Sequence, residues 1–279
     1  MRARAEQTGE RYVRLAQTRP VLRLPLNFVT RYTERQGMLM ASAVAFRLYL
    51  WLMPLALLTA GILAGLSGTN AAATKTAVNA AGITGAASQE IISVLHDGDK
   101  SWWIAVVLGG FGVLWGANSL LHCLMLVHAH TWQVATPQLR LRDTVITALV
   151  FIASWFGLAT IGAVTPRLDH VLPAGLVVAI LAEVALTTGV WLAVSLRLPH
   201  SRESWYDLLP GCVLFGLSFV VLHTVSRTYI PPRLEQSSQL YGALGIAGVL
   251  LAWLLVIGQV IVGAALVNVL WAEYRRSSS

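Results

Sequence analysis

Two ionisable side chains stand in almost wholly apolar surroundings. Arg47 closes the stretch Ala41-Ser42-Ala43-Val44-Ala45-Phe46-Arg47, and Glu183 sits between Ala182 and Val184. A charge at the centre of a bilayer costs at least about 2.5 kcal/mol, so an intramembrane charge is a functional candidate by default. By helical rise, Arg47 lies about 12 Å into its segment and Glu183 about 15 Å into its own, both at middle depth. Two readings stand for each. One is a transport-site group that grips an anionic headgroup or relays a proton. The other is a structural pair, or for Arg47 a side chain that extends to the membrane surface.

Weaker signals surround them. Asn118, Gln259 and Asn268 are polar residues in apolar segments. Asn118 is a further candidate transport-site residue, although hydrogen bonding between helices accounts for all three more readily. Pro54 removes a helical hydrogen bond and predicts a kink. Tyr241, Gly242 and Gly245 open the last segment as a hinge, an unwound mouth or a tight start to a helix. His223 and Arg227 share a helical face and either line a polar path or face a loop. Gly61-xxx-Gly65 and Gly112-xxx-Gly116 have the spacing of close helix contacts.

Other chemistries lack their parts. His122, His128 and His130 are separated by about 240° and about 200° around a helix, so they share no face for a metal ion. The thirteen acidic residues are scattered, apart from Asp97 and Asp99. Nuclease chemistry needs clustered carboxylates or histidines around metal ions. No GxxxxGK[ST] phosphate loop occurs. The expectation is a protein that is not an enzyme, with no metal, no cofactor and no nucleic-acid partner.

The elements that must position these groups are long and greasy. Hydrophobic residues make up 56% of the 279, charged residues 12%, and mean hydropathy is +0.65. Soluble domains carry about 25% charged residues. Six stretches are long enough to cross a bilayer as helices: about 39–66, 102–128, 144–164, 173–196, 208–227 and 240–270. The predicted fold is all-α: a polytopic integral membrane protein with six transmembrane helices. A basic segment, 1–38, holds an interfacial helix over about 19–36; the transmembrane domain spans 39–270; a short tail covers 271–279. The long connection 67–101 has loosely amphipathic spacing.

Charge in the flanks predicts orientation. With the N-terminus inside, fourteen of the twenty Lys and Arg residues fall on the cytoplasmic side and five outside, which places both termini in the cytoplasm.

The combination of the Ala41–Arg47 stretch with Pro54, Pro210-Gly211, Tyr241-Gly242-Ala243-Leu244-Gly245, Trp253 and Gly263-Ala264 resembles the YihY/BrkB family of bacterial inner-membrane proteins, including its YhjD-like branch. The similarity covers roughly residues 20–270. It implies six spans and a cytoplasmic N-terminus. Family members have been labelled ribonuclease BN and virulence factor, and tied to envelope lipids and transport. Many carry Glu where this chain has Ala265, and Ala-Leu-Asn where it has His128-Ala129-His130.

The expected function is a transporter or flippase-like protein of the inner membrane for a lipid or other anionic amphiphile. The alternatives are a membrane subunit that scaffolds an envelope complex, and an ion-coupled exchanger of small solutes. Membrane lipids are the expected partners, with a homo-oligomer or an envelope complex as further possibilities.

Overall fold

Apolar residues circle the whole circumference of the long helices, so no single stripe defines an inside. A helix of that kind belongs in a large core or in lipid. The computed structural model describes residues 20–67, 102–136, 142, 145, 146, 149, 150, 175–200 and 204–278. Its elements are α1 (Pro20–Glu34), α2 (Gly37–Ser67), α3 (Trp102–Trp132), α4 (Gly175–Ser195), a 3-10 turn (Trp205–Asp207), α5 (Leu209–Tyr241) and α6 (Ala243–Ser278). Among the described residues there is no strand. Large apolar side chains point outward: Phe111 is 65% exposed, Trp115 68%, Leu181 62% and Leu244 82%. Exposure on that scale marks lipid as the solvent.

Four helices contain stretches long and apolar enough to cross a membrane: Gly37–Ile62, Trp102–Trp132, Leu209–Ser226 and Leu244–Arg276, with Ile180–Ser195 a shorter apolar helix. They correspond to the first, second, fifth, sixth and fourth expected spans. The third span and the connection 67–101 lie outside the described residues, apart from a few positions near 145–150 and the last residue of α2. The fifth expected span coincides with the apolar stretch Leu209–Ser226, and its helix continues beyond it through Pro231 and Pro232 to Tyr241. Its last turns pack on the start of α6, where a Cβ on Gly245 would lie 2.1 Å from the Ser237 carbonyl oxygen. α6 runs on past residue 270 to Ser278.

α2 and α3 run antiparallel, as do α4 and α5, and α5 and α6. One end of the bundle gathers the starts of α2 and α5 and the ends of α3, α4 and α6; it is called here the polar end. α3 and α4 both run toward it. α6 is the hub, packed against α1, α2, α3, α5 and the 3-10 turn. Its inner face is small: Ala264 and Ala265 are buried, and a Cβ on Gly258 would lie 2.4 Å from the Ala41 carbonyl oxygen.

The α2–α3 seam uses the same device. Trp51 Nε1 donates to the Val113 carbonyl at 3.2 Å. Pro54 lies on Gly112, whose Cβ would be 2.6 Å from the proline Cβ. Gly109 faces the Leu58 backbone, and Gly61 and Gly65 face Ala105, Val106 and Trp102. With no hydrophobic drive between helices in lipid, such contact supplies the packing energy.

A Cβ at Gly109 would meet the Leu58 nitrogen at 2.6 Å, whereas one at Gly110 would meet nothing within 4 Å. Gly109→Ala is expected to destabilise the protein by about 1–3 kcal/mol through overpacking. Gly110→Ala is expected to leave the thermal unfolding midpoint in detergent at or above the parent value.

Candidate functional site

At the polar end, short chain reversals set the helix termini. Gln36 adopts φ 52° between α1 and α2, and Gln133 adopts φ 54° after α3. The Val134 N–H then donates to the Ala129 carbonyl at 3.0 Å, a Schellman closure. α1, the strongly amphipathic helix of the set, is tied to the bundle by charge. Arg31 donates to both carboxylate oxygens of Glu273 at 3.0 Å. Arg35 donates to the carbonyls of Thr131 and His130 at the C-terminus of α3, where unpaired carbonyls and the helix dipole favour a cation. Burial, then the neighbouring Arg31 charge, holds Arg35 below the ordinary guanidinium value, against opposing pulls from Glu273 and Glu34. Burial also pushes the Tyr32 hydroxyl up. Asp207 is buried and accepts from Arg275 at 2.7 Å. Beside these groups an open groove of about 1130 Å³ is lined by Arg31, Glu34, Arg35, Leu126, His130, Gln133 and Glu273, among others.

Asn268 is fully buried in α6, and its Oδ1 accepts the Gly211 N–H at 2.7 Å. That N–H belongs to the first turn of α5, where no carbonyl of the same helix can reach it. Pro210 needs no partner there, and a Cβ on Gly211 would lie 2.1 Å from the Ala264 carbonyl oxygen. The Pro210-Gly211 pair is thus a helix start capped from the neighbouring helix.

Deeper in the bundle the candidate residues separate. Arg47 does not meet Glu183. The Arg47 guanidinium is exposed on the outer face of α2 and donates to Ser119 Oγ of α3. Glu183 instead accepts from His223 Nδ1 of α5. Asn118 is half-buried and engaged. Gln259 Nε2 approaches Met38 Sδ at 3.2 Å. Tyr241, Gly242 and Gly245 form the α5–α6 reversal, in which Gly242 takes φ 59° and the Gly245 N–H donates to the Gly242 carbonyl at 3.1 Å.

Along α3 the exposed positions recur at helical spacing: Trp115, His122, Leu126 and His130, with half-exposed Ser119 between the first two. Together they make a stripe from Arg47 and Ser119 to the groove at the polar end. His128 points the other way. It is buried, and its Nδ1 bonds the Leu124 carbonyl at 3.0 Å. Among the described residues no group of three His, Cys, Asp or Glu is placed to hold a metal.

The His223 partnership was not read from the sequence, although opposite-running helices bring Glu183 and His223 to similar depth. Ser119, Asp207 and Glu273 carried no signal, because a serine in a span and acids near helix ends are ordinary.

Residues 28–279 match the family described as virulence factor BrkB. The chain belongs to the BrkB family. No curated protein and no solved structure gives a significant match. In this BrkB protein, Ala265 occupies a fully packed position on α6. The His128-Ala129-His130 run ends α3 with the first histidine inward and the last on the groove.

Asn268→Ala would leave the Gly211 N–H without its acceptor. The expected loss is about 1–3 kcal/mol, the cost of an unsatisfied buried polar group, read as a lower unfolding midpoint in detergent. Gln259→Ala, at a partly exposed site, serves as the comparison and is expected to change it little.

Proposed function

We propose that this BrkB-family protein is a transporter of flippase type that moves an anionic amphiphile, a phosphate-bearing lipid or a related envelope compound, across the bacterial inner membrane. The observation that carries this reading is Arg47, a guanidinium at middle depth on the lipid-facing side of α2, steadied by Ser119. A cation kept there at the cost of desolvation has a use if an anion passes. The stripe on α3 extends that use. His122 and His130 offer polar stations between apolar turns, and the stripe ends at the groove beside Arg35 and Arg31. A headgroup can follow such a stripe while its acyl chains stay in lipid.

The accompanying topology is six spans with both termini cytoplasmic. It rests on the excess of arginine in the cytoplasmic flanks. The polar end then faces the cytoplasm, and α1 lies at the inner headgroup layer, where an amphipathic basic helix is stable.

Purified protein in vesicles containing a fluorescent anionic lipid tests the reading, with leaflet exchange followed by quencher accessibility. The parent protein is expected to accelerate exchange over protein-free vesicles. Arg47→Gln is expected to remove at least about tenfold of that rate, the scale of one charge-assisted contact. Because Arg47 is exposed, its loss should leave the unfolding midpoint near the parent value. Exchange that never exceeds the protein-free rate, with or without a pH gradient, would refute the reading.

A further inference from the structure

The α4–α5 seam holds a second polar site. Glu183 lies eight residues, about 12 Å, from the start of α4, and His223 fourteen residues, about 21 Å, from the start of α5. Their side chains are only 12% and 29% exposed. Each belongs to a locally braced turn. Thr187 Oγ1 donates to the Glu183 carbonyl at 2.7 Å, and Ser226 Oγ donates to the His223 carbonyl at 2.8 Å. Thr188 Oγ1, buried against Gly216 in the same seam, has no hydrogen-bond partner.

Toward the polar end the seam is shut by rings. His223 stands 6.5 Å from Phe219, Phe219 5.9 Å from Phe215, and Phe215 stacks on Trp191 at 4.2 Å. Trp191 continues to His128 at 6.4 Å. The phenyl rings of Phe215 and Phe219 carry no polar group; the polar atoms beside them are the Thr187 hydroxyl, which donates to the Glu183 and Val184 carbonyls, and the Thr188 hydroxyl.

We propose that Glu183 and His223 form a single-proton binding site inside the membrane, loaded from the end of the bundle opposite α1. The unloaded pair is a carboxylate and a neutral imidazole, with net charge −1. Loading takes one proton from water and forms one N–H bond at the imidazole, which gives an ion pair of net charge zero. Nδ1 donates to the carboxylate in both states, so the contact persists. Neutralising a buried site lowers the cost of carrying it through low dielectric. The site therefore has the properties of a coupling site for proton-driven movement. The other titratable or charged side chains on the two helices are Cys212 toward the polar end, and Arg227, Tyr229, Arg233, Glu235 and Tyr241 toward the opposite end. Arg227 is one turn from His223. The inference goes beyond the transport reading and stands without it, since proton binding is measured on the purified protein.

Infrared difference spectra of the detergent-solubilised full chain, labelled with carboxyl-¹³C glutamate and titrated between about pH 5 and 8, test it. The wild type is expected to show a shift of a glutamate carboxylate band, caused by charging of the partner imidazole, that is absent in Glu183→Gln. In His223→Gln the midpoint of that change is expected to move by about one pH unit or more, about tenfold in proton affinity. A wild-type spectrum matching that of Glu183→Gln would overturn the site, and so would an unchanged midpoint in His223→Gln. If Glu183→Gln yields no monodisperse protein, the midpoint comparison between wild type and His223→Gln decides alone. Vesicles that exchange no lipid while this titration persists would refute the transport reading and leave the proton site standing. Lipid exchange without the titration would do the reverse.

Discussion

In hydrocarbon no water completes a broken hydrogen bond, so every polar group must find its partner in the protein. That constraint orders what is seen here. The backbone is largely satisfied within helices, hydroxyls such as Thr131 and Thr187 donate to carbonyls of their own helix, and other polar groups meet in seams between helices: Asn268 with Gly211, Glu183 with His223, Arg47 with Ser119. Where a helix start leaves an N–H over, a side chain of another helix supplies the acceptor. Where a helix end leaves carbonyls over, Arg35 supplies the donor.

The same solvent explains the dependence on small residues. Lipid does not drive helices together as water does, and close packing has to substitute. Gly109, Gly112 and Gly116 admit the Leu58, Pro54 and Trp51 residues of α2, and Gly258 admits the backbone at Ala41. The charged groups divide by depth. Those at the polar end, Arg31 with Glu273 and Arg275 with Asp207, tie α1 and the 3-10 turn to the end of α6. The Glu183–His223 pair has no such duty at a helix end and instead joins the middles of α4 and α5.

Much of this was legible in the sequence. Long apolar runs gave the helices, and their flanking arginines suggested an orientation. Asn268 announced itself as a link between helices by being polar in an apolar run. The boundaries of α5 were less legible, because two consecutive prolines and a polar stretch ordinarily end a helix. Here the helix continues to Tyr241 nonetheless, and Ser237 beyond the prolines packs against Gly245. The pairing within the site was also hidden. Depth along a helix follows from counting residues, but which face meets which neighbour depends on packing angles that a single chain does not spell out. Arg47 and Glu183 shared a depth and still found different partners.

The α5–α6 hairpin is fastened near both ends. Gly211 is pressed on the Ala264 carbonyl and Gly245 on the Ser237 carbonyl, each too near for even a methyl group. Two helices in backbone contact near both extremities resist sliding and splaying through close packing. A displacement of α2 or α4 relative to this pair would therefore be taken up at the joints they make with α6 and α5.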